Sequence, residues 1–527
     1  MKKFLAANLP LRNIDVPLLI FLVLFLDVKF IVKVCAILFI VFYDRNFKFG
    51  LSRRASRLPL FYLLIILLEF FKYVFITRDY HLNYLLAFCM GILQWGFSLL
   101  AIHHLKLRVD RDPAKTHDTV RVFYLLNFLV SIFFLCLLVF HPVSLVYWGH
   151  GSDVTFFSPS AGDTILGISF DVSTVNATIN CLGLIYFLYK RDILFTILCL
   201  LVIVLCTSNA TCLMLFGVLG LMILTVRSKN LRIRTLVASV SLATLYFLGS
   251  AKNREYMRNY FTQLYILNKD PSLANHPDSV ELTDSAGHIY KVPAPKIDAK
   301  VFAVNKVGLK KAVSNLLALG LHDSAHRESA ARIDSDERGL VKDSSIYPVI
   351  SESDYLTKPG KLISFAQTYA YLGLGARRFL LGSGIGNFSS KLAFRISGEN
   401  VSGSFPLKYQ YMSPEFRYNH LKTYQFYARG PASLHSVLNF PFSVYNQLLG
   451  EYGLIGFLLF WIFYLGYFIV RYRRLSYGRY MIIILLGFFI MEYWFELFSL
   501  VVIFELFLLL NIKEGRELAL QKAVIPQ

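Results

Sequence analysis

A chain of 527 residues that is 56% hydrophobic, 16% aromatic and only 17% charged, with a mean hydropathy of +0.52, does not have the composition of a soluble globular domain. These values exclude an ordinary soluble enzyme and point to a membrane protein crossed by many helices. The formal net charge of +20 is not a nucleic-acid footprint either, because no basic run forms a contiguous soluble face.

A helix needs roughly 17 to 25 apolar residues to cross a hydrocarbon core of about 30 Å. The first apolar stretch, 16–42, is interrupted by Asp27-Val28-Lys29. It reads as two short helices, 16–26 and 30–42, meeting at a polar turn, since an unbroken helix would set both charges near the bilayer centre. One broken span is the alternative. Further apolar runs follow at 58–76, 82–102, 122–140, 164–189, 193–207, 212–226, 236–248, 448–470, 481–495 and 498–510. The expected fold is all-α and polytopic, with about twelve transmembrane helices.

Charge placement tests that count independently of hydropathy. With Lys2 and Lys3 inside, every second connection carries the basic residues: Arg45 to Arg57, Lys106 to Lys115, Lys190 and Arg191, Arg227 to Arg234, Arg471 to Arg479, then Lys513 and Arg516. Among the short loops only Arg78 breaks the alternation, and the connection 141–163 has no lysine or arginine. The expected organisation is nine spans in 1–250, a large periplasmic domain in 251–440, three spans in 441–512 and a cytoplasmic tail in 513–527. All seven cysteines fall in apolar spans and read as small core residues, and no cleavable leader is expected. The expected location is the bacterial inner (cytoplasmic) membrane.

The segment 251–440 holds half of the twelve histidines, so chemistry is expected there. In chain order it reads as a polar aromatic helix at 251–267 and a loop with a hairpin around Ser285 to Tyr290. An amphipathic helix at 306–320 comes next, packed on the domain or lying on headgroups, then a solvated loop at 322–354 and a helix at 362–372 stopped by Gly373 and Gly375.

Two motifs flank the end of this segment. The first runs Arg377-Arg378-Phe-Leu-Leu-Gly382-Ser-Gly384-Ile-Gly386-Asn387-Phe388; the second runs Tyr445-Asn446-Gln447-Leu448-Leu449-Gly450-Glu451-Tyr452-Gly453-Leu454-Ile455-Gly456. In that order, on the outer side of twelve spans, they resemble the bacterial O-antigen polymerase and O-antigen ligase family. The resemblance implies a membrane glycosyltransferase that uses a polyprenyl-pyrophosphate-linked glycan donor. Its acceptor would be another glycan or a lipid A core sugar, and a chain-length regulator and a flippase would be its partner proteins. Membrane lipids are expected around it and no nucleic acid. Two departures stand out. Phe442-Ser443 occupies the place of the family's histidine, with His435 seven residues earlier, and Thr207-Ser208-Asn209 replaces a Ser-Arg pair. As a dinucleotide fingerprint the glycine run fails, because the sixth motif position is Asn387 and no strand precedes it. A tight turn with amides facing a phosphate fits better.

Transfer from such a donor needs a base for the acceptor hydroxyl, cations for the departing pyrophosphate and a sugar groove. His435 is the expected base and His420 its substitute, each with a surface-histidine alternative. Arg377, Arg378 and Arg78 are expected at the pyrophosphate, with lipid anchoring as the alternative. The interleaved aromatic and basic stretch containing Tyr409, Tyr418, Tyr424 and Tyr427 is expected to bind glycan or to pack at the interface. Glu69 and Lys72 are expected to neutralise each other. The polar set Asp171, Ser173, Thr174, Asn176, Thr178 and Asn180 either lines a lipid-carrier cavity or bonds helices together. Neither metal nor soluble cofactor is indicated. Glu492, Glu496 and Glu505 keep a flippase or transporter reading open, and a non-catalytic glycan-binding scaffold is a third class.

Overall fold

The computed structural model describes residues 13–44, 47, 58–76, 81–140, 165–206, 208–249, 280–283, 289–292, 358–399, 405–428 and 437–524. Among the described residues the regular elements are helices apart from one hairpin. Val16–Phe25 (α1) and Phe30–Leu38 (α2) are packed together across a four-residue turn. Asp15 caps α1 by accepting from the Leu18 amide, and Lys33 of α2 reaches back to donate to the Phe25 carbonyl at 2.9 Å and to the Asp27 carbonyl. The polar interruption at Asp27 to Lys29 therefore marks two helices, as the charges predicted.

Phe61–Phe75 (α3), Leu82–Arg111 (α4), Pro113–Phe140 (α5), Ser173–Lys190 (α6), Ile193–Leu205 (α7), Asn209–Thr225 (α8) and Lys229–Gly249 (α9) follow. Val280–Thr283 (β1) and Ile289–Val292 (β2) pair antiparallel with Val280 opposite Val292. The segment 251–440 further supplies Gly360–Gly373 (α10), Ala376–Leu381 (α11), Lys391–Ile396 (α12) and Lys422–Ala428 (α13). The remainder is Val444–Leu459 (α14), Gly478–Met491 (α15), Trp494–Leu497 (α16) and Ser499–Val524 (α17). α4 and α5 run on through residues 103–121, a connection that hydropathy alone reads as a loop, and α17 continues into the expected tail.

Among the described residues, three helical stretches are long and apolar enough to cross a membrane: Leu82–Arg111, Pro113–Phe140 and Val444–Arg474. Val16–Phe25, Phe30–Tyr43, Ile193–Leu205, Asn209–Thr225 and Gly478–Met491 are shorter apolar helices.

Two compact units are formed. The first combines Met1–Arg254, Gly375–Phe416 and Pro441–Gln527; the second combines Glu255–Leu374 and Arg417–Phe440. The expected outer domain is thus not one body, because its part from Gly375 to Phe416 packs with the helices of the first unit. In that unit α17 lies along α4, α6 along α7, and α11 against α14. An aromatic cluster of Phe61, Tyr62, Trp95, Phe460, Tyr464 and Phe495 fills the space between α3, α4 and the continuation of α14. In the second unit α10 packs on α13 and on the π-helical turn Arg417–Leu421, with the Lys361 amide donating to the Leu438 carbonyl at 2.9 Å.

Candidate functional site

The two sequence motifs meet in the first unit. Residues 382–386 form a turn with positive φ at Gly382, Gly384 and Gly386, and α14 is broken at Gly453, whose φ is 66°. The contact is reciprocal. A Cβ at Gly382 would lie 2.5 Å from the Glu451 carbonyl, and one at Gly453 would lie 2.5 Å from the Leu380 carbonyl, so backbone meets backbone with no room for a side chain. Ser383 and Gly384 amides donate to the carbonyls of Gly450 and Glu451, each at 2.9 Å.

The remaining amides of the turn are taken by carboxylates of the protein itself. Ile385 N–H donates to Glu69 Oε2 at 3.0 Å, while Phe388 and Ser390 N–H donate to Glu451 Oε1 at 3.2 and 3.1 Å. Lys72 Nζ lies 2.5 Å from Glu69 Oε1 and donates to the Glu451 carbonyl at 2.7 Å. Glu69 and Lys72 do pair as predicted, and in doing so they fasten the glycine turn to α14. A phosphate at these amides, one of the sequence expectations, is displaced by Glu69 and Glu451, which already fill the anion-binding concavity. Asn387 Nδ2 donates to the Ser383 carbonyl, Ser413 Oγ donates to the Asn387 carbonyl at 2.6 Å, and Tyr445 OH donates to the Leu486 carbonyl. Asn446 and Glu451 are fully buried.

Beside this assembly the first unit carries a cleft lined by Val28, Phe30, Lys33, Asp171, Lys391, Arg395, Glu496, Leu497 and Phe498. Four separate chain segments converge there: the α1–α2 turn with the start of α2, the residues before α6, α12, and the α16–α17 turn. Asp171 Oδ2 is 4.0 Å from Lys391 Nζ, and Leu392 N–H donates to Glu496 Oε2 at 3.2 Å. Burial draws the Lys391 ammonium below the usual lysine range, with the charge of Asp171 opposing the shift. Arg395 is lowered by burial too, against the pull of Glu496 and Asp171. Lys33, Lys391 and Arg395 are thus desolvated cations set among the carboxylates of Asp171 and Glu496, with Asp27 and Glu492 adding to the local negative charge.

Of the other residues expected at the site, His435 and Arg78 lie outside the described residues, as does the amphipathic segment 306–320. His420 is fully buried in the second unit, and burial holds its imidazole down to about 3, so it is neutral but has no open face toward an acceptor. Arg377 is exposed and donates to the Ile76 carbonyl at 3.0 Å, while Arg378 is half-buried; neither lines the cleft. The tyrosine stretch is divided. Tyr409 belongs to the first unit and is exposed; Tyr418 and Tyr424 are half-buried in the second, and Tyr427 is a core residue donating to the Lys358 carbonyl. In the polar set, Asn176 ties α6 to α5 through Asn127 and Ser131, the helix-bonding alternative, and Asn180 donates to Asn176 Oδ1 within α6, whereas Asp171 lines the cleft. Lys33, Lys391 and Arg395 carried no motif. A lone lysine inside the apolar run 30–42 was nonetheless a signal, since an ionisable group in a span needs a functional or pairing reason.

Set against protein-family models, curated proteins and solved structures, the chain matches none of them. Fold and site on their own define a helical protein with, among the described residues, three helices long and apolar enough to cross a membrane and a mixed-charge cleft at the convergence of four segments.

Proposed function

We propose that the protein is a membrane glycosyltransferase of surface polysaccharide assembly, of the O-antigen or capsule polymerase type. It transfers or polymerises a polyprenyl-pyrophosphate-linked oligosaccharide at the periplasmic face of the bacterial inner membrane, through a fold of about twelve spans. The observation that carries this reading is the cleft. Its four segments are far apart in sequence, yet lysine and arginine alternation assigns the turn 27–29, the start of the span at 164–189, the loop 375–440 and the turn 496–498 all to the outer side. Lys33, Lys391 and Arg395 meet there, where a lipid-borne pyrophosphate enters from the outer leaflet. They take the place proposed from sequence for Arg377 and Arg378. In this reading an incoming pyrophosphate competes with the cleft's carboxylates for these cations and is held by them as a leaving group.

An O-antigen ligase would perform the same chemistry with a lipid A core acceptor. A flippase or transporter is the reading of another class, and Glu505 favours it: this carboxylate lies fully inside the helices of the first unit, accepting from Tyr62 OH at 2.5 Å. One assay separates these. Purified protein in lipid nanodiscs, given polyprenyl-pyrophosphate-linked glycan without nucleotide, metal or ion gradient, should lengthen the glycan or pass it to lipid A core. Translocation without bond exchange would replace the transferase with a transporter.

A further inference from the structure

Two carboxylates face the cleft, and they are held differently. Glu496 accepts the Leu392 amide through Oε2, which ties it to α12, the helix that carries Lys391 and Arg395. Asp171 accepts the Val172 amide through Oδ1 at 2.9 Å, which fixes the plane of its carboxyl group. Among the described residues no hydrogen bond reaches its Oδ2, and the 4.0 Å to Lys391 Nζ exceeds hydrogen-bond length. The backbone before Asp171 is pinned on two sides: the Ser169 carbonyl accepts from Val28 N–H at 2.8 Å, and Ile168 N–H donates to Asn127 Oδ1 at 2.9 Å. One oxygen is therefore held by its own backbone on a pinned support, while the other lies beside Lys391 at the cleft lining without a hydrogen-bond donor among the described residues. The two carboxylates differ in this way: Glu496 is tied to α12, and Asp171 Oδ2 is the oxygen available to accept from a ligand hydroxyl.

We propose that Asp171 is the general base of the transfer, an assignment that rests on the function proposed above. The acceptor hydroxyl gives its proton to Asp171 Oδ2 as its oxygen bonds to the anomeric carbon of the donor. The bond from that carbon to the pyrophosphate oxygen breaks, and its electron pair leaves with the polyprenyl pyrophosphate, whose added charge Lys33, Lys391 and Arg395 receive. The proton passes from Asp171 to water, and nothing is oxidised or reduced. Glu496 is a positioning residue in this scheme.

The test uses the full chain in nanodiscs with polyprenyl-pyrophosphate-linked glycan extracted from the producing cells. Asp171→Asn keeps the shape and the acceptor for Val172 but loses proton uptake, so kcat should fall about 10²- to 10⁴-fold with donor KM little changed. A rate within about tenfold of wild type, or a loss expressed only in donor KM, overturns the assignment. Should the asparagine variant fail to accumulate, Asp171→Glu decides: partial transfer at unchanged donor KM supports the base, and none from the folded variant overturns it. Wild-type protein that moves no glycan would instead remove the function itself, and the base with it. Active wild type beside active Asp171→Asn removes the base alone.

Discussion

At the scale of single residues, the arginines separate by what surrounds them. Arg395 is half-buried at the cleft among Asp171, Glu496 and two lysines, whereas Arg377 is exposed and its guanidinium meets a backbone carbonyl. If Arg395 grips a pyrophosphate with its two-pronged donor, Arg395→Lys should cut transfer by about 10- to 100-fold at unchanged protein level, because the charge stays and the fork is lost. Arg377→Lys should stay within about twofold of wild type, since a lysine at an exposed position reaches a carbonyl or a lipid phosphate as well. Equal losses in the two variants, measured as transfer rate by the nanodisc assay, would return the pyrophosphate to the glycine motif. The sequence drew attention to Arg377 because it adjoins a motif, while Lys33 and Arg395 adjoin none. Their meeting is a fact of tertiary packing across more than 350 residues of chain, which neither periodicity nor spacing encodes.

At the scale of elements, the glycine turn and α14 behave as one part. The reciprocal approach of Gly382 and Gly453 joins the turn after α11 to α14 backbone to backbone, and the Glu69 and Lys72 side chains fasten α3 to both. Gly453→Ala would force a Cβ both into positive φ, at about 1–2 kcal/mol, and into backbone atoms that have no flexible end to move aside. The variant should show a clearly lowered thermal midpoint in detergent or poor accumulation. Gly217→Ala, where a Cβ meets nothing within 4 Å, should show neither. An unchanged midpoint for Gly453→Ala would mean that the turn is not held as described. The tight turn was legible from three glycines in five residues, and the pairing of Glu69 with Lys72 from their spacing. That Glu69 and Glu451 occupy the turn's amides was not legible, because a nest of N–H groups does not reveal from sequence which anion it holds. Helix ends failed for a related reason. Lys106 and Arg108 read as loop in a hydropathy scan, but they pair with Asp110 and with Asp15 and Asp44, and the neutralised residues extend α4 by more than two turns.

At the scale of the whole molecule, charge alternation and side-chain contacts agree. Arg108 pairs with Asp15 and Asp44, and Lys190 with Glu514, all positions that the alternation expects inside; Lys33, Asp171, Lys391 and Glu496 share a cleft, and it expects all of them toward the outer side, Lys33 and Asp171 near the outer ends of their spans. A topology with one span too many or too few between residues 42 and 164 would have put Asp171 on the side opposite to Lys33, leaving their common cleft inexplicable. The alternation therefore makes a prediction on a segment far in sequence from the residues of both clusters. In a variant with all seven cysteines replaced, which removes the surface thiols of Cys35, Cys89 and Cys136, Ser285→Cys should react with an impermeant maleimide in intact spheroplasts. Ser228→Cys, between α8 and α9, should react only after lysis. Labelling of Ser285→Cys confined to lysed cells would invert the topology, place the cleft on the cytoplasmic side where nucleotide sugars are at hand, and remove the reason for a lipid-pyrophosphate donor.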